Sequence, residues 1–159
     1  MTKFTSKQFK NALSQFATGV TVITTRLDNG QFWGIAANSF NSVSLNPPLV
    51  LWSLSDKATS LPIFSVNSHY VINILAANQT KLVEQFSQPS KNRFLGVEFT
   101  LSTNGLPILN GVAAWLECRN RSRYPEGDHV IFVGEVECCD FTPSAPLIFH
   151  GGQLLSLAN

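Results

Sequence analysis

Residues 20 to 37 read VTVITTRLDNGQFWGIAA, two apolar runs rich in β-branched and aromatic side chains on either side of Asp28-Asn29-Gly30. Runs of that kind favour strands, and Asn-Gly supplies the positive φ angles of a tight turn. The stretch predicts a β-hairpin, and the neighbouring sequence extends it. Before it, Phe9, Ala12, Leu13 and Phe16 recur at helical spacing. Thr5 or Ser6 stands where a cap belongs and Gly19 where a helix ends, so one amphipathic helix opens the chain. After it, LVLWSL (49 to 54), YVINIL (70 to 75), VEFTLS, VAAWLECRNRSRY and HVIFVGEVECCDF are further strand candidates, the last two long enough to bend. SLPIFSVN predicts a short helix, and Asn78 to Gln88, with Leu82, Val83 and Phe86, a second amphipathic one. PSKNRF reads as a polar, basic loop, and PLIFHGGQLLSL as a short strand interrupted by Gly151-Gly152. Strands that do not alternate with helices argue against a parallel doubly wound sheet. The expected fold is a single domain over residues 1–159, mainly β, an antiparallel barrel with helices packed outside it.

Composition narrows the function. The 159 residues suffice to bury roughly two-thirds of the unfolded surface in one core. Only 13% of them are charged, and the net charge is +1. Such a surface has no electrostatic footprint for nucleic acid, and its low charge points to burial against a partner, a homodimer being the simplest. No apolar run is long enough to span a membrane, and the basic N-terminal stretch lacks the apolar core and cleavage site of a signal peptide. A cytoplasmic protein with no membrane or nucleic-acid partner is expected. Cys118, Cys138 and Cys139 have no metal-ligand spacing and are expected to be buried or half-buried structural thiols.

Two polar loops follow apolar strands. Asn38, Ser39, Asn41, Ser42 and Ser44 follow the hairpin, and Ser55-Asp56-Lys57-Ala58-Thr59-Ser60 follows LVLWSL. Both are rich in hydroxyl and amide groups, and Lys57 is the one cation. That combination suits a flat polar ring with a phosphate tail. On the residues alone the first loop could equally be a plain polar turn, Lys57 a solvated cation, and Arg93 a partner for Glu98. His129 could be a structural or interface histidine.

Ala36-Ala37-Asn38-Ser39-Phe40, with Ser42-Val43-Ser44 and Asn46-Pro47-Pro48, resembles the flavin reductase family of split-barrel flavoproteins, which supply reduced flavin to two-component monooxygenases. Phe16-Ala17-Thr18-Gly19-Val20-Thr21-Val22, Gly127-Asp128-His129 with Phe132-Val133-Gly134-Glu135-Val136, and Pro146-Leu147-Ile148-Phe149-His150-Gly151-Gly152 continue the resemblance in the family's order. It implies an antiparallel split β-barrel that binds FMN or FAD, takes NADH or NADPH as reductant, and forms a homodimer with flavin near the interface. It also implies a separate monooxygenase component as recipient of the reduced flavin.

By the same resemblance, Ala36, Ala37, Asn38 and Ser39 would lie along the flavin ring and ribityl chain. Ser53, Ser55, Lys57, Ala58, Thr59 and Ser60 would form the phosphate side, helped by Ser90, Lys91, Asn92, Arg93 and Phe94. His129 would lie near the nicotinamide as the catalytic histidine. The chain departs from the pattern where the family often has Thr at the place of Ala36, Asp at the place of Asn92, and aromatic residues where Phe149 and Leu154 stand as phenylalanine and leucine. The competing expectation is a flavin-binding or flavin-carrier module without turnover on the same barrel, and a third is a scaffold for another ligand.

Overall fold

A computed structural model describes residues 3–90 and 92–157. The first half runs through α1 (Ser6–Leu13), β1 (Thr18–Gly19), β2 (Thr21–Arg26), β3 (Phe32–Ala37), β4 (Asn41–Leu45), β5 (Pro48–Ser55), α2 (Leu61–Val66) and β6 (His69–Ile74). The second runs through α3 (Thr80–Ser87), β7 (Phe99–Leu101), β8 (Pro107–Leu109), β9 (Ala114–Glu126), β10 (His129–Phe141), β11 (Leu147–His150) and β12 (Gln153–Ser156). Every described ladder is antiparallel.

The main sheet has seven strands in the order β3-β2-β6-β9-β10-β5-β4. One buried cluster collects Ile23 of β2, Tyr70 and Ile72 of β6, Cys118 of β9, Phe132 of β10, Val50, Trp52 and Leu54 of β5, and Phe64 of α2. Strands from nearly the whole sheet share this core, so the sheet curls around it. No backbone ladder joins the edge strands β3 and β4, so the antiparallel, mainly β character is present and hydrogen-bonded closure of a barrel is not. A second cluster on the other side of β2 and β3 joins Val20, Val22, Leu75, Phe86, Leu109, Val112 and Leu147.

The hairpin of residues 20–37 forms with Thr21 opposite Ala37 and Arg26 opposite Phe32. Its loop is longer than a two-residue Asn-Gly turn. Leu27 donates its N–H to Gln31, and Gly30 alone has positive φ. The Thr5 cap is a capping box with Gln8. Residues 41–45, expected as loop, form the polar edge strand β4 instead, and β8, which is not among the strand candidates, pairs with β7. Gly151-Gly152 is a hairpin turn, both φ positive, joining β11 to β12. β9 and β10 are long, as expected, with register shifts at Val133/Gly134 and Val136/Cys138.

Two expectations fail on exposure. Helix α1 is amphipathic but buries no residue, and Phe9, Leu13 and Phe16 are exposed. Cys138 and Cys139 are exposed too, because the end of β10 carries no covering element among the described residues. Only Cys118 is a core thiol.

Gly34 brings α3 onto the hairpin, since a Cβ there would meet ring atoms of Phe86 at 2.6 and 2.8 Å. Gly34→Ala is expected to destabilise the fold by about 1–3 kcal/mol through overpacking. Its urea midpoint should fall, and an unchanged midpoint would mean that α3 shifts freely.

Burial, reinforced by the Glu117 carboxylate, pushes the Cys118 thiol up from 9.0 to about 12. A raised folded pKa favours the neutral thiol, so this contribution to stability is whole below pH 9 and is lost as pH rises through 12. In native protein at about pH 8, alkylation should modify Cys138 and Cys139 and spare Cys118 until denaturation. Peptide mass spectrometry reads the result, and native labelling of Cys118 would mean that the core opens.

Candidate functional site

The end of β3 borders a cavity of about 340 Å³ lined by Val20, Ala36, Ala37, Asn38, Val83, Ser87, Phe149, Gly152 and Leu154. Its walls come from four places in the chain. Gly34 and Ala36 alternate toward α3 while Ile35 and Ala37 join the curled core, so small side chains leave the space open. Val83 and Ser87 come from α3, and Phe149, Gly152 and Leu154 from the β11–β12 hairpin. The Thr18 Oγ1 is buried without a hydrogen-bond partner and belongs to the residue paired with Phe149 in β1–β11. A mostly apolar cleft with Asn38 at its rim and an unused hydroxyl nearby fits a flat heterocycle with polar edges.

Beyond Asn38, Ser39 ties the end of the edge strand β3 to β5. Its hydroxyl donates to the Ser53 carbonyl and accepts from the Ser53 N–H, both at 3.0 Å. This side-chain bridge stands where a backbone ladder is missing. It also commits the Ser39 hydroxyl, so what this position offers a ligand is chiefly its backbone.

β5 alternates, with Val50, Trp52 and Leu54 buried and Leu51, Ser53 and Ser55 half-buried on the opposite face. Ser53 lies opposite Ile131, and Ser55 opposite His129. The loop after Ser55 is held by Asp56 N–H on the Asp128 carbonyl, Lys57 N–H on Ser55 Oγ, and Ala58 N–H on the Ser55 carbonyl. Lys57 and Thr59 are exposed and Ala58 half-buried, whereas Ser60 is buried at 1% exposure. Lys57 has no ion pair among the described residues. A loose lysine with serine and threonine hydroxyls fits a phosphate group.

His129 and Asp128 meet at the same strand end, with His129 Nδ1 2.7 Å from Asp128 Oδ1. That hydrogen bond, with the histidine's charge and Lys57 adding, holds the Asp128 carboxyl below its ordinary range. An ionised carboxylate only accepts, so Nδ1 carries the proton. Nε2 then faces outward with no described partner, ready to accept from a neutral ring or donate from a charged one.

The stretch Ser90–Phe94 does not join this group in the expected way. Ser90 and Asn92 are exposed, and Lys91 lies outside the described residues. Arg93 is 7% exposed, and its guanidinium bonds the carbonyls of Gly34 at 2.8 Å, Phe86 at 3.3 Å and Ser90 at 3.3 Å. It lies 4.6 Å over the Trp33 ring, and it makes no ion pair with Glu98. Burial lowers its pKa from the ordinary arginine value. Phe94 packs with Phe32, Phe86 and Phe99. Both side chains are committed inside the protein, so neither is the exposed loop contact that the sequence suggests.

Sequence reading missed Val20, Val83, Ser87 and Gly152 as cavity walls and treated Phe149 and Leu154 only as departures. Val20, Phe149 and Gly152 lie in the matched segments, but no local pattern marks Val83 or Ser87, since the fold alone brings α3 to β3. Trp33, not assigned to the site, connects Arg93 to the Lys57 loop, because its Nε1–H donates to Ser60 Oγ at 2.9 Å.

None of Ser53, Ser55, Lys57 or His129 lines the cleft, but the Ser39–Ser53 bonds tie its rim to β5, whose following loop bears the hydroxyls and the cation. Together, on a curled antiparallel sheet, they suit a flat, phosphate-bearing heterocycle. The family model described as "Flavin reductase like domain" matches residues 13–158, and the chain belongs to that family. It is 40% identical over 147 residues to "FMN reductase (NADH) SmoA" of Agrobacterium fabrum, covering 92% of this chain and 83% of that protein. It is also 40% identical over 152 residues to the reductase component of the flavin-dependent trigonelline monooxygenase of Acinetobacter baylyi. That match covers 96% of this chain and 49% of the relative, so the chain spans about half that protein's length. Among solved structures, "Flavin reductase PheA2 in native state" superposes with a TM-score of 0.89 at 38% identity, covering 98% of this chain and 100% of that one. The NADH:FAD oxidoreductase SgcE6 of Streptomyces globisporus, in complex with NAD and FAD fragments, has a TM-score of 0.91 at 34% identity, with coverage of 96% and 92%.

Proposed function

We propose that the protein is an NAD(P)H-dependent flavin reductase that passes reduced FMN or FAD to a separate monooxygenase component. The observation that carries this reading is the apolar cleft formed by Ala36, Ala37 and Asn38 against Phe149 and Leu154. When bound, the flavin supplies a ring that accepts a hydride from the nicotinamide, and neither a protein nucleophile nor a metal is required. The chain's residues orient and screen. Ala36 and Ala37 give the ring a flat apolar wall, and the backbone at Asn38 and Ser39 hydrogen-bonds its polar edge. Ser53, Ser55, Lys57, Ala58 and Thr59 flank the ribityl and phosphate end, with Lys57 supplying the positive charge. His129, oriented by Asp128, presents Nε2 toward the nicotinamide.

The finer architecture follows the same reading. The curled sheet with a gap between β3 and β4 is read as a split barrel. Exposed Phe9 and Leu13 on α1 and Phe16 just after it, with Leu45 at 97% exposure on β4, support a homodimer that covers them.

An anaerobic titration of protein and FMN with NADH, followed at the oxidised-flavin absorbance band, tests the reading. Bleaching of excess flavin by substoichiometric protein is expected. No bleaching with either flavin and either nicotinamide would leave a flavin-binding or carrier module instead. Lys57→Ala should weaken FMN binding about tenfold, the lower end of what a charged hydrogen bond contributes because the site is exposed. His129→Ala should lower nicotinamide-dependent turnover with flavin affinity nearly unchanged. Equal turnover at all NADH concentrations would remove His129 from its role.

A further inference from the structure

Arg93 and Ser60 were expected as phosphate contacts, yet both are buried, and Trp33 stands between them. We propose instead that Arg93 is a positioning residue that seats the Ser55–Ser60 loop through Trp33. The inference rests on the reading that this loop takes the flavin phosphate.

Arg93 grips the end of the chain of contacts by three carbonyls, one of them that of Gly34, the residue after Trp33. The planar fork of a guanidinium lets it bond the carbonyls while stacking on the indole, which a lysine cannot reproduce. The stack presents the indole edge to Ser60. Because an indole N–H can only donate, the Ser60 hydroxyl is the acceptor, and the geometry of the bond is set from the Trp33 side. Ser60 in turn begins α2, its carbonyl accepting from Phe64 N–H at 3.1 Å, and Leu61 N–H returns to the Ala58 carbonyl at 3.0 Å. Ala58 N–H closes onto the Ser55 carbonyl. The loop therefore has fixed ends on β5 and α2, and Trp33 is a lateral tether near its second end. Lys57 and Thr59 project outward from a backbone that the buried pair holds. The cation that touches phosphate is Lys57, and Arg93 acts on the phosphate site only by fixing where that loop lies.

A double-mutant cycle on Trp33→Phe and Arg93→Lys tests this, with dissociation constants measured for FMN and for riboflavin, which lacks the phosphate. Trp33→Phe keeps an aromatic face and removes the N–H together with the second ring of the indole. It should weaken FMN roughly fivefold, about the worth of one hydrogen bond, and riboflavin less than about twofold. Arg93→Lys should do the same, and the double variant should lose no more than the larger single loss. In flavin-free protein, amide exchange at Ala58 and Leu61 should accelerate by a similar factor in both variants. Additive losses would mean that Arg93 and Trp33 act separately. Equal losses on FMN and riboflavin, or unchanged exchange, would overturn the tether. Should Arg93→Lys fail to fold, Trp33→Phe decides by its FMN-to-riboflavin ratio and exchange rates alone. Absence of FMN affinity in the unsubstituted protein would instead overturn the parent reading, and this proposal with it.

Discussion

Trp52 lies on Phe132 with ring centroids 4.6 Å apart and planes 13° from parallel, and both side chains are fully buried. Phe64 and Tyr70 close edge-on against the same indole. Around this aromatic centre gather Ile23 from the second strand of the sheet order and Val50 and Leu54 from the sixth. Strands so far apart in one sheet share a core only when the sheet curls through the intervening strands. The curl draws the β3 and β4 edges toward each other without pairing them. An unpaired edge retains free backbone donors and acceptors. Here Ser39 bridges part of the gap to Ser53, and the rest of the hydrogen-bonding capacity stays at the margin of the cleft.

The opposite side of β2 and β3 determines the shape of that cleft. Gly34 admits the Phe86 ring, which fixes α3 close to the hairpin, while Ala36, two residues on, leaves room that a bulkier side chain would fill. Phe149 and Leu154 close the far wall from a hairpin whose turn depends on two positive-φ glycines. Aligned phenyl and aliphatic walls with few charges suit a ring whose own electronics perform the chemistry. Without a hydroxyl at Ala36 this wall is a methyl surface, and the polar groups near it are those of Asn38, Thr18 and the backbone.

Much of this was legible in the sequence, for physical reasons that differ from residue to residue. The hairpin of residues 20–37 was legible because β-branched runs and Asp28-Asn29-Gly30 are local signals. The Thr5 capping box was too, and so were the buried strand at residues 70 to 75 and the long bent pair β9 and β10. β4 was not, because an edge strand exposed on both faces has no apolar alternation to reveal it. β8 was hidden by Pro107 and by its length of three residues. Ala36, Ala37 and Asn38 were found through ordered motif matches, and the structure places all three on one cavity. Val83 and Ser87 carry no signal of their own, since their place on the cavity depends on long-range packing. Cys138 and Cys139 were misjudged because apolar composition predicts burial only where another element arrives to cover the strand.

The same distinction separates the polar residues of the site. A polar side chain whose hydrogen-bonding groups are met inside the protein contributes geometry, and one with unused capacity at the surface contributes recognition. Arg93 falls in the first group by its three carbonyls and its stack on Trp33, and Ser39 by its two bonds to Ser53. Among the described residues Lys57 and His129 fall in the second, one with no ion pair and the other with one ring nitrogen fixed by Asp128 and the other without a partner. Charge type alone would have ranked Arg93 above Lys57 as a phosphate ligand, since a guanidinium offers more donors. Burial reverses that order, because removing Arg93 would take a donor from the buried contacts to the Gly34 and Phe86 carbonyls, and an unsatisfied buried acceptor costs roughly 1–3 kcal/mol. A ligand contact on the surface does not return that much, so the arginine stays where it is, and Lys57 is the loop's exposed cation, without an ion pair among the described residues.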